Sequence, residues 1–281
     1  FSHRAACQWL EKDGFCILKA EDQSELETLV GQINTYGNTA LSNSEIPTSF
    51  KVVKVHVDLD YDEGTSISSS ERLDWVMESV EAANLRDEYK ADLVVDVFYA
   101  NLNGATGIGM IPSEFPSRSD GYSSSGGLFS ALDEVITHEI GHNFGARHDR
   151  YTTQYVDGNY VANELFYGHI NCNECFRTIM SYTDECAVLG KCNSGTSVSR
   201  IPYFSNPKLE YKGFSMGDDD NNNALQLTRS APGIAINQYS YSKSIFSTSN
   251  RSFSDTDIST VKFDIVPKKD LILKNIELEV S

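Results

Sequence analysis

The stretch that most constrains this chain is residues 138–149, which read His-Glu-Ile-Gly-His-Asn-Phe-Gly-Ala-Arg-His-Asp. On an α-helix, side chains four apart share a face, so His138 and His142 point the same way. Two imidazoles at that spacing can hold one zinc ion, and Glu139, one residue on, can reach a water beside it. Gly145 can take the left-handed conformation that closes a helix. The chain then turns, and His148 can supply a third nitrogen. Three protein ligands leave a fourth position open, which is the arrangement of a catalytic rather than a structural zinc. Three of the chain's six histidines fall within the eleven positions 138–148, with the glutamate and the glycine in register.

The extended pattern H-E-x-x-H-x-x-G-x-x-H calls for a methionine turn downstream, and Thr178-Ile179-Met180-Ser181-Tyr182 supplies one. On these residues the chain resembles the metzincin zinc endopeptidases. Asp149 after the third histidine resembles the reprolysin (adamalysin) branch. Residues 85–94 and 200–207 are similar to the bacterial reprolysin-like group that includes the peptidyl-Asp metalloendopeptidases. The similarity runs over roughly residues 22–239.

The resemblance implies an α/β (α+β) architecture within a catalytic domain of residues 1–240. A twisted mixed sheet with helices would form an upper subdomain to about residue 145. A small irregular lower subdomain, residues 146–240, would complete the cleft, with one catalytic zinc between them. The implied activity is that of a secreted endopeptidase acting on proteins or peptides, with Glu139 as general base to a zinc-activated water. Met180 is expected to pack beneath the site without binding the ion, and Asp149 to hold the lower region by hydrogen bonds. Gly107, Ile108 and Gly109 are expected to form the edge strand to which substrate adds as a further strand. Tyr182 resembles the astacin and serralysin arrangement, in which it approaches the metal; a plain packing role is the other reading. The peptidyl-Asp likeness implies cleavage before acidic residues, with Arg147, Arg177 and Arg200 as candidate cations and no choice among them.

Two other readings compete. A catalytically inactive, metalloprotease-like binding module would commonly have lost Glu139 or a ligand, and this chain keeps all four groups. A zinc aminopeptidase would draw its third ligand from a distant glutamate, which His148 makes unnecessary.

Composition excludes some classes. A net charge of -17 argues against a nucleic-acid partner bound through a basic face. No apolar run is long enough to span a bilayer, and a monomer is expected. Phe1, with no initiator Met or signal-peptide pattern, reads as the start of a processed or trimmed chain. Of six cysteines, Cys7 and Cys16 lie near the start, and Cys172, Cys175, Cys186 and Cys192 cluster later. For a secreted protease disulfides are the default: Cys7 with Cys16, and two bridges among the other four. A second zinc site built on Cys172 and Cys175 is the alternative.

Read in order, residues 15–18 suggest a first strand. Residues 22–41 carry one apolar helical face, with Asp22 as N-cap. Residues 50–59 alternate as a half-exposed strand. The acidic residues 58–64 fail the EF-hand pattern, because Glu63 stands where glycine is needed, but a looser calcium site stays open there. Ser68 and Glu71 form a capping box that opens a helix to about residue 86. Residues 91–99 read as a buried central strand and 106–111 as a glycine-rich edge strand. Residues 112–127 look like a surface excursion, and Ser130 with Asp133 should cap the zinc helix. The run 218–223 suggests a loop leading a helix that Pro232 breaks, with calcium as the alternative. Residues 241–281 form a β-rich extension of two or three strands.

Overall fold

A computed structural model of the chain describes residues 1, 3–10, 20–58, 68–99, 106–112, 118–126, 129–159, 164, 166–236, 261–262 and 277–278. The chain divides into two compact units, Phe1–Ser240 and Tyr241–Ser281. Mixed helices and several small sheets make up the first, an α+β arrangement in keeping with the metzincin expectation.

In the first unit, α1 (His3–Trp9) precedes the long α2 (Ala20–Asn43). Leu26 and Ile33 of α2 are buried, with Leu29, Val30 and Tyr36 packed beside them, which is the apolar face that the sequence shows. Asp22 lies inside the helix and is buried, so it is not the N-cap. Residues 15–18 lie outside the described residues. Residues 51–57 form no strand, contrary to the alternation of their valines. Val55 and Val57 do turn to the core, but Val53 is exposed. The pattern is met by burial on one side, and hydrogen bonds to Phe1 are made at His56 and Asp58.

The capping box is realised at α3 (Ser69–Glu78), where the Ser68 hydroxyl accepts from the Glu71 amide and the Glu71 carboxylate accepts from the Ser68 amide. The helix does not continue to residue 86. Ser79 adopts an extended conformation and its hydroxyl caps a second helix, α4 (Val80–Glu88), by accepting from Ala82 N. A serine that can satisfy a new helix start makes the break inexpensive.

The principal sheet has the order β1-β3-β2. β1 (Val94–Phe98) runs parallel to β3 (Tyr122–Gly126), and β2 (Gly107–Gly109) pairs antiparallel to β3 at an edge of the described sheet. β3 is a correction to the sequence reading. Residues 122–126 are Tyr-Ser-Ser-Ser-Gly, a composition that reads as loop, yet they form the buried central strand. Their small size is the reason. Tyr122 packs with Leu73 and Val76 of α3, and Ser124 donates to Asp96 on the same side. Asp96, the one charge in β1, takes both a Nε and a Nη2 hydrogen bond from the buried Arg72 at 2.6 and 2.7 Å. A buried carboxylate so paired avoids the cost of an isolated charge.

Ser123 and Ser125 alternate to the opposite face, opposite Gly109 and Gly107 of β2. Onto this smooth face lies α5 (Phe129–Asn143). The helix starts at Phe129, so Ser130 sits in its first turn and is not its N-cap. At its far end the Asn143 amide donates to Met110 O and Tyr122 O, tying it to the ends of β2 and β3.

Beyond α5 the elements are short. β4 (Arg147–Asp149) pairs parallel with β5 (Tyr167–Gly168), and α6 (Arg150–Tyr155) lies between them in sequence. β6 (Ile170–Asn171), β7 (Phe176–Arg177) and β8 (Ser199–Arg200) form a three-stranded sheet around α7 (Asp184–Val188) in chain order. Two disulfides, Cys172–Cys186 and Cys175–Cys192, staple this segment. All four clustered cysteines are thus used, which removes them from a second zinc site. Cys7 is also disulfide-bonded, and Cys16 lies outside the described residues.

A hairpin of β9 (Asn206–Tyr211) and β10 (Phe214–Met216) leads to α8 (Asn223–Ile236). In the acidic run, Asp218 and Asp220 both pair with Arg150. α8 passes through Pro232 without ending there. Burial of Leu227, Ser230 and Ile234 on either side holds the helix against the lost hydrogen bond. In the second unit, β11 (Val261–Lys262) pairs antiparallel with β12 (Glu277–Leu278). Among the described residues no helix is long and apolar enough to cross a membrane.

Candidate metal centre

α5 carries His138, Glu139 and His142, all buried. Its end is built by Gly145, at φ +87°. Gly145 N donates to His142 O and Ala146 N donates to Gly141 O, the paired bonds of a Schellman motif. The turn feeds β4, and β4 carries His148 back to the helix. The Nε2 atom of His148 stands 3.1 Å from Nε2 of His142 and 3.1 Å from Nε2 of His138.

What lies behind each ring decides what these nitrogens are. His138 Nδ1 donates to Ile179 O at 2.9 Å, and His142 Nδ1 donates to Ala146 O at 2.8 Å. A carbonyl oxygen only accepts, so both Nδ1 atoms carry the proton and both Nε2 atoms of the neutral rings present lone pairs. His148 Nδ1 lies 2.7 Å from Asp157 Oδ2, which orients the third ring in the same sense. Three Nε2 atoms thus converge, two of them presenting lone pairs because a carbonyl accepts the hydrogen bond from the other nitrogen. Nitrogens at tetrahedral corners around a zinc ion stand roughly 3.3 Å apart, close to the separations found. Among the described residues this is the one group of three metal-capable side chains, its ligand atoms all within 4.8 Å of one another. Donor type, tautomer and spacing all fit zinc.

Electrostatics agree with neutral rings. Burial, then repulsion by His142 and His148, pushes His138 well below the usual imidazole range. Burial, then repulsion by His148, takes His142 down to about 3. Burial raises Glu139 to about 8 in the metal-free protein, with Arg200 pulling the other way.

The methionine turn lies under the helix. Met180 is fully buried, and a Cβ placed on Gly141 would stand 2.5 Å from its sulfur. Gly141 is therefore required by Met180, a role not legible from the motif. Asp149 accepts from Thr152 N and Thr152 Oγ1, and from Tyr182 N at 2.9 Å, so it joins the third-histidine segment to the methionine turn. The Tyr182 ring meets His148 and His138 edge-on, at centroid distances of 4.7 and 5.7 Å, and is 38% exposed. Burial, then Glu139, raises its phenol.

β2 lies along Glu139. A Cβ on Gly107 would meet Glu139 Oε1 at 2.5 Å, and one on Gly109 would strike the Glu139 carbonyl oxygen. Ile108 points the other way, to Leu73 and Val76. Of the three candidate arginines, Arg177 and Arg200 are register partners across β7 and β8. Arg200 donates to Glu134 at 3.3 Å, one helical turn before His138. Burial, then Arg200, lowers Arg177 to about 10, and its Nη1 donates to Ser181 O in the methionine turn. Arg147 is tied instead into β4, its amide donating to Phe166 O.

Residues 27–149 match the model of the metallopeptidase family M12B, reprolysin-like. No curated protein matches the chain. A solved structure described as that of a chaperone–substrate complex is similar in fold, with a TM-score of 0.60 at 15% identity. That match covers 84% of this chain and 33% of the solved one.

Proposed function

We propose that this chain, whose residues 27–149 match the reprolysin-like metallopeptidase model beside a three-histidine cluster, is a secreted zinc-dependent endopeptidase, with residues 1–240 as its catalytic domain. The convergence of three Nε2 atoms beside the buried Glu139 carboxylate is the observation that carries this reading. His138, His142 and His148 would hold the ion, each through Nε2. Zinc supplies Lewis acidity, lowering the pKa of a water and polarising a carbonyl. Glu139 accepts the proton of the attacking water at its carboxylate and delivers it to the leaving amine.

Gly107, Ile108 and Gly109 take the substrate backbone as an added strand, which sets the scissile bond against Glu139. Tyr182 donates its phenolic hydrogen to the developing oxyanion; its edge-on place beside His148 supports that role. Met180 acts from beneath as packing. Cleavage falls before acidic residues, a preference supported by Arg177 and Arg200 side by side at the methionine turn and the start of the zinc helix. Secretion is supported by the two disulfides.

The test is elemental analysis of the purified protein together with digestion of a mixed peptide library, mapped by mass spectrometry, for the wild type and Glu139→Ala. One zinc per chain with chelator-sensitive cleavage, lost in the variant with zinc retained, is the expected result. Zinc without cleavage by the wild type would indicate a binding module. Cuts without acidic residues on the leaving-amine side would remove the specificity assignment alone.

A further inference from the structure

We infer that Asp157 is a positioning residue for the third zinc ligand, a role that rests on the zinc reading above. His138 and His142 receive their orientation from main-chain carbonyls of the methionine turn and the helix end. Those groups belong to the core and cannot move far. His148 sits on β4, three residues beyond the helix-closing glycine, and is the more exposed of the three. Its Nδ1 meets the Asp157 carboxylate at 2.7 Å, with the two side chains 17% and 28% exposed.

The chain between these residues is built to deliver that carboxylate. Asp149, next to His148, caps α6 by accepting from Thr152 N and Thr152 Oγ1. At the other end of the same short helix, Val156 N and Asp157 N both donate to Thr152 O. Thr152 is buried, so one anchored residue fixes the N-terminal cap and the C-terminal turn together. The helix spans Arg150–Tyr155, and the closure returns Asp157 to the ring from which the segment set out.

A carboxylate behind a ligating imidazole fixes the ring's orientation, keeps its proton on the far nitrogen and raises the basicity of the near one. Here it acts on the one ligand outside α5. Asp157 touches neither the ion nor the substrate, and it shapes the site only through His148.

The readout is the zinc dissociation constant, measured by competition with a chromophoric chelator on the whole chain. Variants are Asp157→Ala and Asp157→Asn, with Glu210→Gln on an exposed strand position as the control for loss of one negative charge. Removing such an outer partner typically weakens metal binding about 10–100-fold. Asp157→Ala should fall in that range, and Asp157→Asn, which keeps an acceptor oxygen, should recover part of the loss. Glu210→Gln should match the wild type. The visible absorption of the cobalt-substituted protein should change in Asp157→Ala, as expected for an altered ligand orientation. Should Asp157→Ala fail to fold, Asp157→Asn decides, since it conserves shape and removes the charge. Wild-type affinity in both variants overturns the inference and leaves the zinc reading intact. A wild type that binds no zinc overturns both.

Discussion

The carboxylate of Glu139 lies directly against the α-carbon of Gly107: a single methyl group there would sit 2.5 Å from Oε1. The candidate general base and the candidate substrate strand therefore share one van der Waals surface. The glycine is needed for room, since its φ is not in the left-handed region. Its neighbour Gly109 meets the same helix at the Glu139 main chain, so β2 approaches α5 closely at both glycines.

Those two contacts predict different phenotypes. Gly107→Ala should fold and bind zinc, but displace the Glu139 side chain and cut kcat by on the order of 100-fold, as misplacement of a reacting group by about 1 Å can do. Gly109→Ala must shift main chain, and should cost about 1–3 kcal/mol of stability. Steady-state kinetics and urea unfolding of both variants separate the effects. Equal stability losses with unchanged kcat would refute the placement of Glu139.

Each of His138→Ala, His142→Ala and His148→Ala should abolish stoichiometric zinc and peptide cleavage. Because a ligand that binds only the folded chain stabilises it, excess chelator should lower the melting temperature of the wild type. The three variants should melt at the same temperature with and without chelator. A chelator shift that persists in all three would place the metal elsewhere.

Met180 fills the space under Gly141. Met180→Leu should retain zinc and lose less than about 1.5 kcal/mol, whereas Met180→Ala should lose about 2–5 kcal/mol through the cavity it leaves. Gly141→Ala, which pushes on the Met180 sulfur, should be destabilising in the wild type and better tolerated in a Met180→Ala background. A double-mutant cycle measures that coupling, and additivity would contradict the contact.

The disulfides Cys172–Cys186 and Cys175–Cys192 close loops with sequence separations of 14 and 17 residues. Replacing either pair with alanines should cost about 2–4 kcal/mol. Arg177 and the methionine turn lie inside both closed loops, so zinc affinity should fall with them. Thermal unfolding with zinc titration tests this, and a pair whose loss changes neither would have no structural role.

Glu71 accepts hydrogen bonds from Ser68, and these hold its carboxyl below its ordinary value of 4.5. A depressed carboxyl contributes to folding above the unfolded value, and the contribution is lost as pH falls through the lowered, folded value. Protection of the first-turn amides of α3, taken relative to their intrinsic exchange rate, should therefore fall below about pH 4.5, and lose that dependence in Glu71→Gln. Identical pH profiles in the two proteins would exclude the cap's ionic part.

The features legible in the amino-acid order are those with local causes. The zinc motif depends on helical periodicity and one left-handed glycine, and the bonds at Gly145 and Ala146 reproduce that geometry. The capping box of Ser68 and Glu71 needs only four consecutive residues. The apolar run of β1 declares a buried strand, and its one anomaly, Asp96, is explained by Arg72 24 residues earlier. β3 is not legible in this way, because its residues are suited to what lies above them. Tyr-Ser-Ser-Ser-Gly has no strand signature, but its serines leave space for α5. The break at Ser79 departs from the sequence expectation because its hydroxyl caps a new helix, and α8 passes through Pro232 because burial on either side outweighs the local preference.

The sequence alone therefore determined the chemistry on offer: three imidazoles, a carboxylate, a helix end and a methionine turn, each set by short-range spacing. Only the tertiary structure decided how those groups are held. It placed Ile179 O behind His138, Asp157 behind His148, Met180 under Gly141 and Glu139 against Gly107. Except for Asp157, these partners lie about 30 or more residues apart in the chain. No periodicity within a segment encodes such pairs. They follow from the packing of a helix onto a sheet and a turn, where close packing leaves few other arrangements.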